Sequence, residues 1–302
     1  MQLSYIRDNF EFFKNEVVKE LIDYYGSKYR DLIISRIEDT NFIFYVAPHY
    51  SSFLISGLKK KRNYKELKEE FSKFKKDVKL NNLENNRLYK SKDKEEARYP
   101  YTINDGIICF SYKYNNNTDE LCREIYIPVF YADDCSIIHE MIHSVMSAPL
   151  FLTEKDDEYF LQYKMGLSVS CDGMSDILEE SLTEMDAKII AKRIRKRKIY
   201  FIDKYCLFDR SKWFYDNFIS YTTDFYKAFK DKINKARLTL NLRELKYWIG
   251  EEEYNEFINL IEDYYDNYYD CDGAFYKFYI NKSVAKMKEI KRQNWLYVSN
   301  MI

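Results

Sequence analysis

The sequence has few of the residues that interrupt secondary structure, with only 7 glycines and 4 prolines among 302 residues. This scarcity disfavours a turn-rich all-β architecture and favours helices. Charge of one sign is also lacking, because 48 Lys and Arg stand against 49 Asp and Glu, a formal net charge of −1. No global field would attract nucleic acid or an anionic membrane. We therefore expect a mainly helical α+β protein that binds neither nucleic acid nor a membrane.

Long hydrophobic runs and paired cysteines are missing as well. The six cysteines are widely spread and show no C-x-x-C spacing, so we expect free thiols. The N-terminal residues lack the apolar run and cleavage site of a secretory signal. The longest apolar stretch, residues 42–58, is interrupted by Pro48 and falls short of the ~20 residues that span a bilayer. These absences favour a soluble, cytoplasmic protein.

Two of the only three histidines lie in one His-Glu-x-x-His segment, within the sequence SIIHEMIHSV of residues 136–145. Residues four apart share one face of a helix, so the imidazoles of His139 and His143 can bind one tetrahedral Zn²⁺. Glu140 would lie beside the open position of the metal and take a proton from the water that zinc activates. The alternative interpretation is a buried helix with two hydrogen-bonded histidines and no metal.

A catalytic zinc needs a third protein ligand, and the chain has no histidine after His143. A predicted helix over residues 175–198 supplies several acids, and its apolar stripe leaves Glu180 and Glu184 one turn apart on another face. One acid of this pair can bind the metal while the other accepts the free N–H of a ligating imidazole. Glu179 remains an alternative ligand, and both members of the pair could instead be solvated.

The His139–His143 segment followed by LEESLTE at residues 178–184 resembles the gluzincin branch of zincin metallopeptidases, the thermolysin-like and zinc-aminopeptidase-like group. In this group the third ligand is a Glu on a second helix, often within Asn-Glu-Gly-x-x-Glu or Asn-Glu-x-x-x-Asp. The resemblance covers roughly residues 106–190 and implies that Glu180 is the third ligand and Glu184 the acid one turn later. Glu179 and Ser181 stand where the family often has Asn and Gly. The long interval between His143 and Glu180 implies a loop around residues 151–173.

The pattern along the chain predicts a mainly helical region over residues 1–98 and a zincin-like catalytic domain over residues 99–302. The catalytic domain would comprise a small sheet and the zinc helix (101–150), the third-ligand helix (175–198) and a helical C-terminal lobe (199–302). Within these regions we expect helices over 8–36, broken at Gly26, and over 64–78, a polar linker over 81–98, strands over 41–47, 106–114 and 123–130, and helices around 213–229 and 254–265. Asp133 or Asp134 would cap the zinc helix.

Together these features predict a zinc-dependent metallopeptidase in which Glu140 is the general base. Its substrate would be a peptide or protein, extended antiparallel to the strand over 106–114. The alternative is a catalytically inactive zincin-like protein, or a helical interaction protein with a structural metal site. Glu140 favours the enzyme, because a structural site needs no carboxylate over an open position. The sequence predicts no oligomeric state.

Overall fold

The structure is a computed structural model, and most of the residues that it describes are helical. No helix in its described part is long and apolar enough to cross a membrane. The mainly helical α+β class expected from the sequence is confirmed, since the described strands form two small sheets beside the helices. The predicted helix over 64–78 and linker over 81–98 lie outside the described residues. The described residues are 3–45, 108–115, 120–128, 132–155, 158–171, 177–201, 216–268 and 273–299.

The chain divides into two compact units. The first comprises residues 1–144 and 187–210, and the second comprises residues 145–186 and 211–302. The domain boundary predicted near residue 98 lies outside the described residues.

The first unit begins with two helices, α1 (Leu3–Tyr25) and α2 (Arg30–Glu38), joined by one 3-10 turn (Ser27–Tyr29). Gly26, between α1 and the turn, has a φ of 108°, which glycine adopts without a Cβ penalty. The predicted helical region and its break at Gly26 are therefore confirmed. The apolar face of α1 is buried as its spacing predicts, at Phe10, Phe13, Val17, Leu21 and Tyr24.

The sheet of the first unit contains β1 (Thr40–Tyr45), β2 (Cys109–Asn115) and β3 (Glu120–Pro128) in the order β1-β3-β2. The central strand β3 runs parallel to β1 and antiparallel to β2. These are the three strands predicted from the sequence. Pro128 is the last residue of β3, where its missing N–H leaves the ladder intact. In this sheet, as far as the structure describes it, β2 is an edge strand.

The helix α3 (Asp134–Val145) carries the His-Glu-x-x-His segment. The Asp133 carboxylate caps it, because its Oδ1 accepts from the Ser136 N–H at 2.6 Å and from the Ser136 hydroxyl at 2.8 Å. Near the other end, the Ser144 and Thr40 hydroxyl oxygens lie 2.6 Å apart, which connects α3 to β1. The apolar residues Ile137, Ile138, Met141, Ile142 and Val145 are 0% exposed. The segment is thus a core helix whose ends are both anchored.

The second unit opens with an antiparallel sheet where the sequence predicted a loop. The strands are β4 (Ser147–Lys155), β5 (Glu158–Met165) and β6 (Ser168–Cys171), in the order β4-β5-β6. The loop expected around residues 151–173 is therefore wrong. Tyr159, Leu161, Tyr163 and Met165 alternate with other residues at the two-residue period of a strand. This alternation indicated a strand, whereas the loop was inferred from the family resemblance.

Among the described residues after β6, five helices follow: α4 (Ile177–Lys196), α5 (Asp216–Thr239), α6 (Leu242–Ile249), α7 (Glu251–Asp266) and α8 (Gly273–Ser299). The helix α4 is the one predicted over 175–198, and α5 and α7 are the helices predicted around 213–229 and 254–265. In the second unit, Leu178 and Leu182 of α4 join one apolar core with side chains of α5 to α8, including Phe225, Phe229 and Phe257.

Replacement of Asp133 by Ala should lower the free energy of unfolding by about 0.5–2 kcal/mol, because the Ser136 N–H loses its capping acceptor. Urea unfolding followed by circular dichroism measures the loss. Asp39→Ala is the matched control, since the exposed Asp39 carboxylate makes only a 3.8 Å ion pair with Arg123 and exposed pairs contribute about 0–1 kcal/mol. Equal losses in the two variants would contradict the capping role of Asp133.

Candidate metal centre

The two histidines of α3 face each other. Their Nε2 atoms lie 2.9 Å apart, and the ring centroids are 4.6 Å apart with the ring planes inclined at 70°. Both side chains are buried, with His139 2% and His143 3% exposed. The single helical turn between them gives this geometry, as the four-residue spacing predicts.

Glu140 is held by a backbone group of the edge strand. Its Oε2 accepts a hydrogen bond of 2.7 Å from the Phe110 N–H of β2, and its side chain is 8% exposed. Phe110 lies opposite Ile125 of β3 in the strand register. Because its N–H binds Glu140, this N–H points away from β3, toward the outer edge of β2. The strand therefore fixes the orientation of the carboxylate.

Glu180 completes a group of three residues that could hold a metal ion. One nitrogen from each of His139 and His143 and one carboxylate oxygen of Glu180 all lie within 4.8 Å of one another. Two ligands that bind zinc tetrahedrally at about 2.0–2.2 Å are about 3.3–3.6 Å apart. The Nε2 separation of 2.9 Å is slightly shorter than that value. Two nitrogens and one oxygen are a donor set that zinc accepts.

The acids of α4 are buried rather than solvated. Glu179, Glu184 and Asp186 are 0% exposed, and Glu180 is half-buried. The interpretation of Glu184 as a solvated surface residue is therefore wrong. The apolar stripe read from the sequence covers only part of the buried surface, because Ser181 and Thr183 are also 0% exposed. The first turns of α4 are enclosed on most sides.

Glu179 is engaged by a buried arginine that sequence reasoning missed. The Arg237 guanidinium of α5 donates to Glu179 Oε1 at 2.8 Å, and the Leu167 N–H donates to Glu179 Oε2 at 3.0 Å. Both carboxylate oxygens of Glu179 thus accept hydrogen bonds within the second unit. Glu179 is therefore engaged by Arg237 and Leu167, whereas Glu180 is the α4 acid whose carboxylate oxygen lies near both histidines.

A signal for Arg237 is present in the sequence. Phe225, Phe229 and Ile233 recur at four-residue steps on α5, and Arg237 occupies the next position of this apolar series. A charged residue at a core position requires a buried partner. No comparable signal exists for Phe110, because its contact with Glu140 uses a backbone N–H that every residue except proline possesses.

No family model, no curated protein and no solved structure matches this chain.

The ligand set can be tested by metal analysis of single variants dialysed against zinc. We expect about one zinc per chain in the parent protein and loss of that zinc in His139→Ala, His143→Ala and Glu180→Ala, because each removes one of three protein ligands. Glu179→Gln is the matched control and should still bind one zinc when the metal is in excess. Its free energy of unfolding should fall by about 3–5 kcal/mol, since it leaves the buried Arg237 without one charged partner.

This ligand set would be contradicted if His139→Ala still bound as much zinc as the parent. It would also be contradicted if Glu179→Gln lost zinc while Glu180→Ala retained it.

Proposed function

We propose that this protein is a zinc-dependent peptidase with a zincin-like core, in which His139, His143 and Glu180 bind the metal. The observation that carries the proposal is the pair of buried imidazole nitrogens 2.9 Å apart on one helix, with the Glu180 carboxylate near them. A zinc ion held there would acidify a water molecule and polarise the carbonyl of the peptide bond.

Glu140 is the proposed general base. It removes a proton from the attacking water and later delivers that proton to the leaving amine. The Phe110 N–H donates to Oε2 of Glu140, and proton transfer requires only one carboxylate oxygen. The other oxygen, Oε1, can therefore accept the proton of the water. The backbone bond thus fixes the direction of the base without adding a side chain that could compete for the proton.

Glu184 is the proposed orienting residue of the site. It is fully buried one helical turn after Glu180. A carboxylate at such a position accepts the N–H of a metal-binding imidazole, which fixes the tautomer and the direction of the ring. Glu184 would therefore act through a histidine rather than on the substrate.

The edge strand β2 supports an extended peptide as the substrate. It pairs only with β3 in the described sheet, and Tyr112 and Tyr114 follow Phe110 at two-residue steps. Their backbone N–H groups therefore point to the same outer edge as the Phe110 N–H. A peptide lying antiparallel to β2 would pair with these groups, as in other cases of strand addition to a sheet edge.

The general-base role predicts that Glu140→Gln abolishes peptide hydrolysis and leaves zinc bound, because glutamine keeps the size of the side chain but cannot accept and return the proton. Zinc affinity is measured by competition with a chromophoric chelator, and cleavage is measured with a library of fluorogenic peptides. An inactive zincin-like or interaction protein would show no cleavage in the parent protein either. Cleavage by Glu140→Gln at the parental rate would refute the mechanism.

Glu184→Gln is the comparison variant in the same experiment. It should lower zinc affinity or activity by about 10- to 100-fold without abolishing either, because an orienting partner of a metal ligand has effects of this size. A Glu184→Gln variant equal to the parent in both measurements would remove Glu184 from the site.

The strand-pairing role of β2 predicts that N-methylation of a cleaved peptide has position-dependent effects. Methyl groups on the amides that face β2 should raise KM or abolish cleavage, whereas methyl groups on the alternate amides should have little effect, because only every second amide of a strand faces one neighbour. The measurement is a scan of singly N-methylated variants of the best library peptide. Equal effects at successive positions would contradict an extended substrate.

A further inference from the structure

Arg237 is exceptional among the cations of this protein. Among the residues whose burial the structure describes, it is the only lysine or arginine that is buried, and its exposure is 0%. Its neighbours on α4 include the carboxylates of Glu179 and Asp186, both also 0% exposed. A guanidinium placed in such surroundings is costly unless each of its donors is matched. The Arg237 side chain is therefore part of a buried ion-pair cluster with Glu179 and Asp186, and not of a solvated surface ion pair.

The Arg237 guanidinium binds three residues of one face of α4. Besides the Glu179 bond, one terminal nitrogen lies 2.6 Å from Asp186 Oδ2 and the other donates to the Thr183 hydroxyl at 2.7 Å. Residues 179, 183 and 186 are spaced as one helix face, over a length of about 10 Å. Tyr226 strengthens the arrangement, because its hydroxyl donates to Asp186 Oδ1 at 2.7 Å.

The turn between β5 and β6 contacts the carboxylate of Glu179. The Leu167 N–H donates to Glu179, and a Cβ added at Gly166 would lie 2.1 Å from the Glu179 carboxyl group. Gly166 also has a φ of 59°, in the left-handed region that favours glycine. Both observations favour glycine at this position. Glu179 thus accepts hydrogen bonds from the turn on one side and from Arg237 on the other.

This arrangement fixes the rotation of α4 about its own axis. Successive residues of a helix are about 100° apart, so the direction of Glu180 follows from the direction in which Glu179 is held. An arginine suits the task because its planar fork binds several acceptors at once in fixed directions, whereas a lysine presents one point charge on a flexible stem.

We propose that Arg237 is a positioning residue of the metal site, which sets the orientation of Glu180 through Glu179, Thr183 and Asp186. This inference rests on the proposed function, since it assigns Glu180 as a metal ligand. It predicts that Arg237 controls the affinity and the geometry of the bound metal, beyond any contribution to stability.

The test uses Co²⁺, whose visible absorption reports the geometry of its ligands, in the full-length protein. Arg237→Lys keeps the charge but cannot bind all three residues, and we expect Co²⁺ affinity to fall by about 10- to 100-fold with a changed absorption band. Asp186→Asn, which removes one charged acceptor, should produce a smaller change in the same direction. Zinc affinity, measured by chelator competition, should follow the same order.

Two controls separate positioning from stability. Arg197→Lys alters an arginine that pairs with Glu16 and Glu20 of α1, and it should leave the Co²⁺ spectrum unchanged. Phe257→Leu weakens the core of the second unit at a site on α7, and it should lower the melting temperature without changing the affinity of the folded protein.

The proposal is overturned if Arg237→Lys and Asp186→Asn lose stability as Phe257→Leu does while their Co²⁺ affinity and spectrum match the parent. If Arg237→Lys does not fold, Asp186→Asn and Thr183→Val decide, because each alters only one of the three contacts that Arg237 makes with α4. A parent protein that binds neither Co²⁺ nor Zn²⁺ would instead refute the proposed function, so the two failures are distinguishable.

Discussion

The contact between two imidazoles inside a buried helix is the constraint on which the site depends. A polar side chain withdrawn from water needs a partner, and the Nε2 atoms of His139 and His143 lie 2.9 Å apart, within hydrogen-bond distance. A metal bound by both nitrogens would replace that hydrogen bond and its proton, because a ligating imidazole nitrogen carries no proton. The apolar side chains of their helix are buried, Asp133 caps its N-terminus, and the Ser144 hydroxyl contacts Thr40 of β1. A rigid core helix thus presents two nitrogen donors in one direction. Such preorganisation is what a metal site needs, because the ligands do not have to be ordered when the metal binds.

Charge is the second constraint, and it acts on α4. Glu179, Glu184 and Asp186 are fully buried on this helix, and the buried guanidinium of Arg237 pairs with Glu179 and Asp186. Two positive charges would act on different faces of α4. Arg237 neutralises and aligns one face of the helix, and a divalent cation at Glu180 would neutralise another.

Local patterns predicted much of this arrangement. The four-residue spacing of His139 and His143, the caps of α3 and the pair of Glu180 and Glu184 are all properties of short segments, so they could be recognised without a fold. The sheet over 147–171 was missed because the expected loop came from a family resemblance, although the alternation in β5 indicated a strand. The burial of Glu184 and the contact of Phe110 with Glu140 depend on which elements pack together. No local pattern carries that information, and it emerges only from the tertiary structure.

The most direct test of the account is X-ray absorption at the zinc edge on the zinc-loaded protein, which reports the ligands of the metal without requiring a substrate. The account predicts a shell of nitrogen and oxygen donors at about 2.0–2.2 Å and the outer scattering of two imidazole rings, with no sulfur. A sulfur shell at about 2.3 Å would place the metal on cysteines. That result, or a spectrum without imidazole scattering, would contradict the assignment of His139, His143 and Glu180 as the metal site.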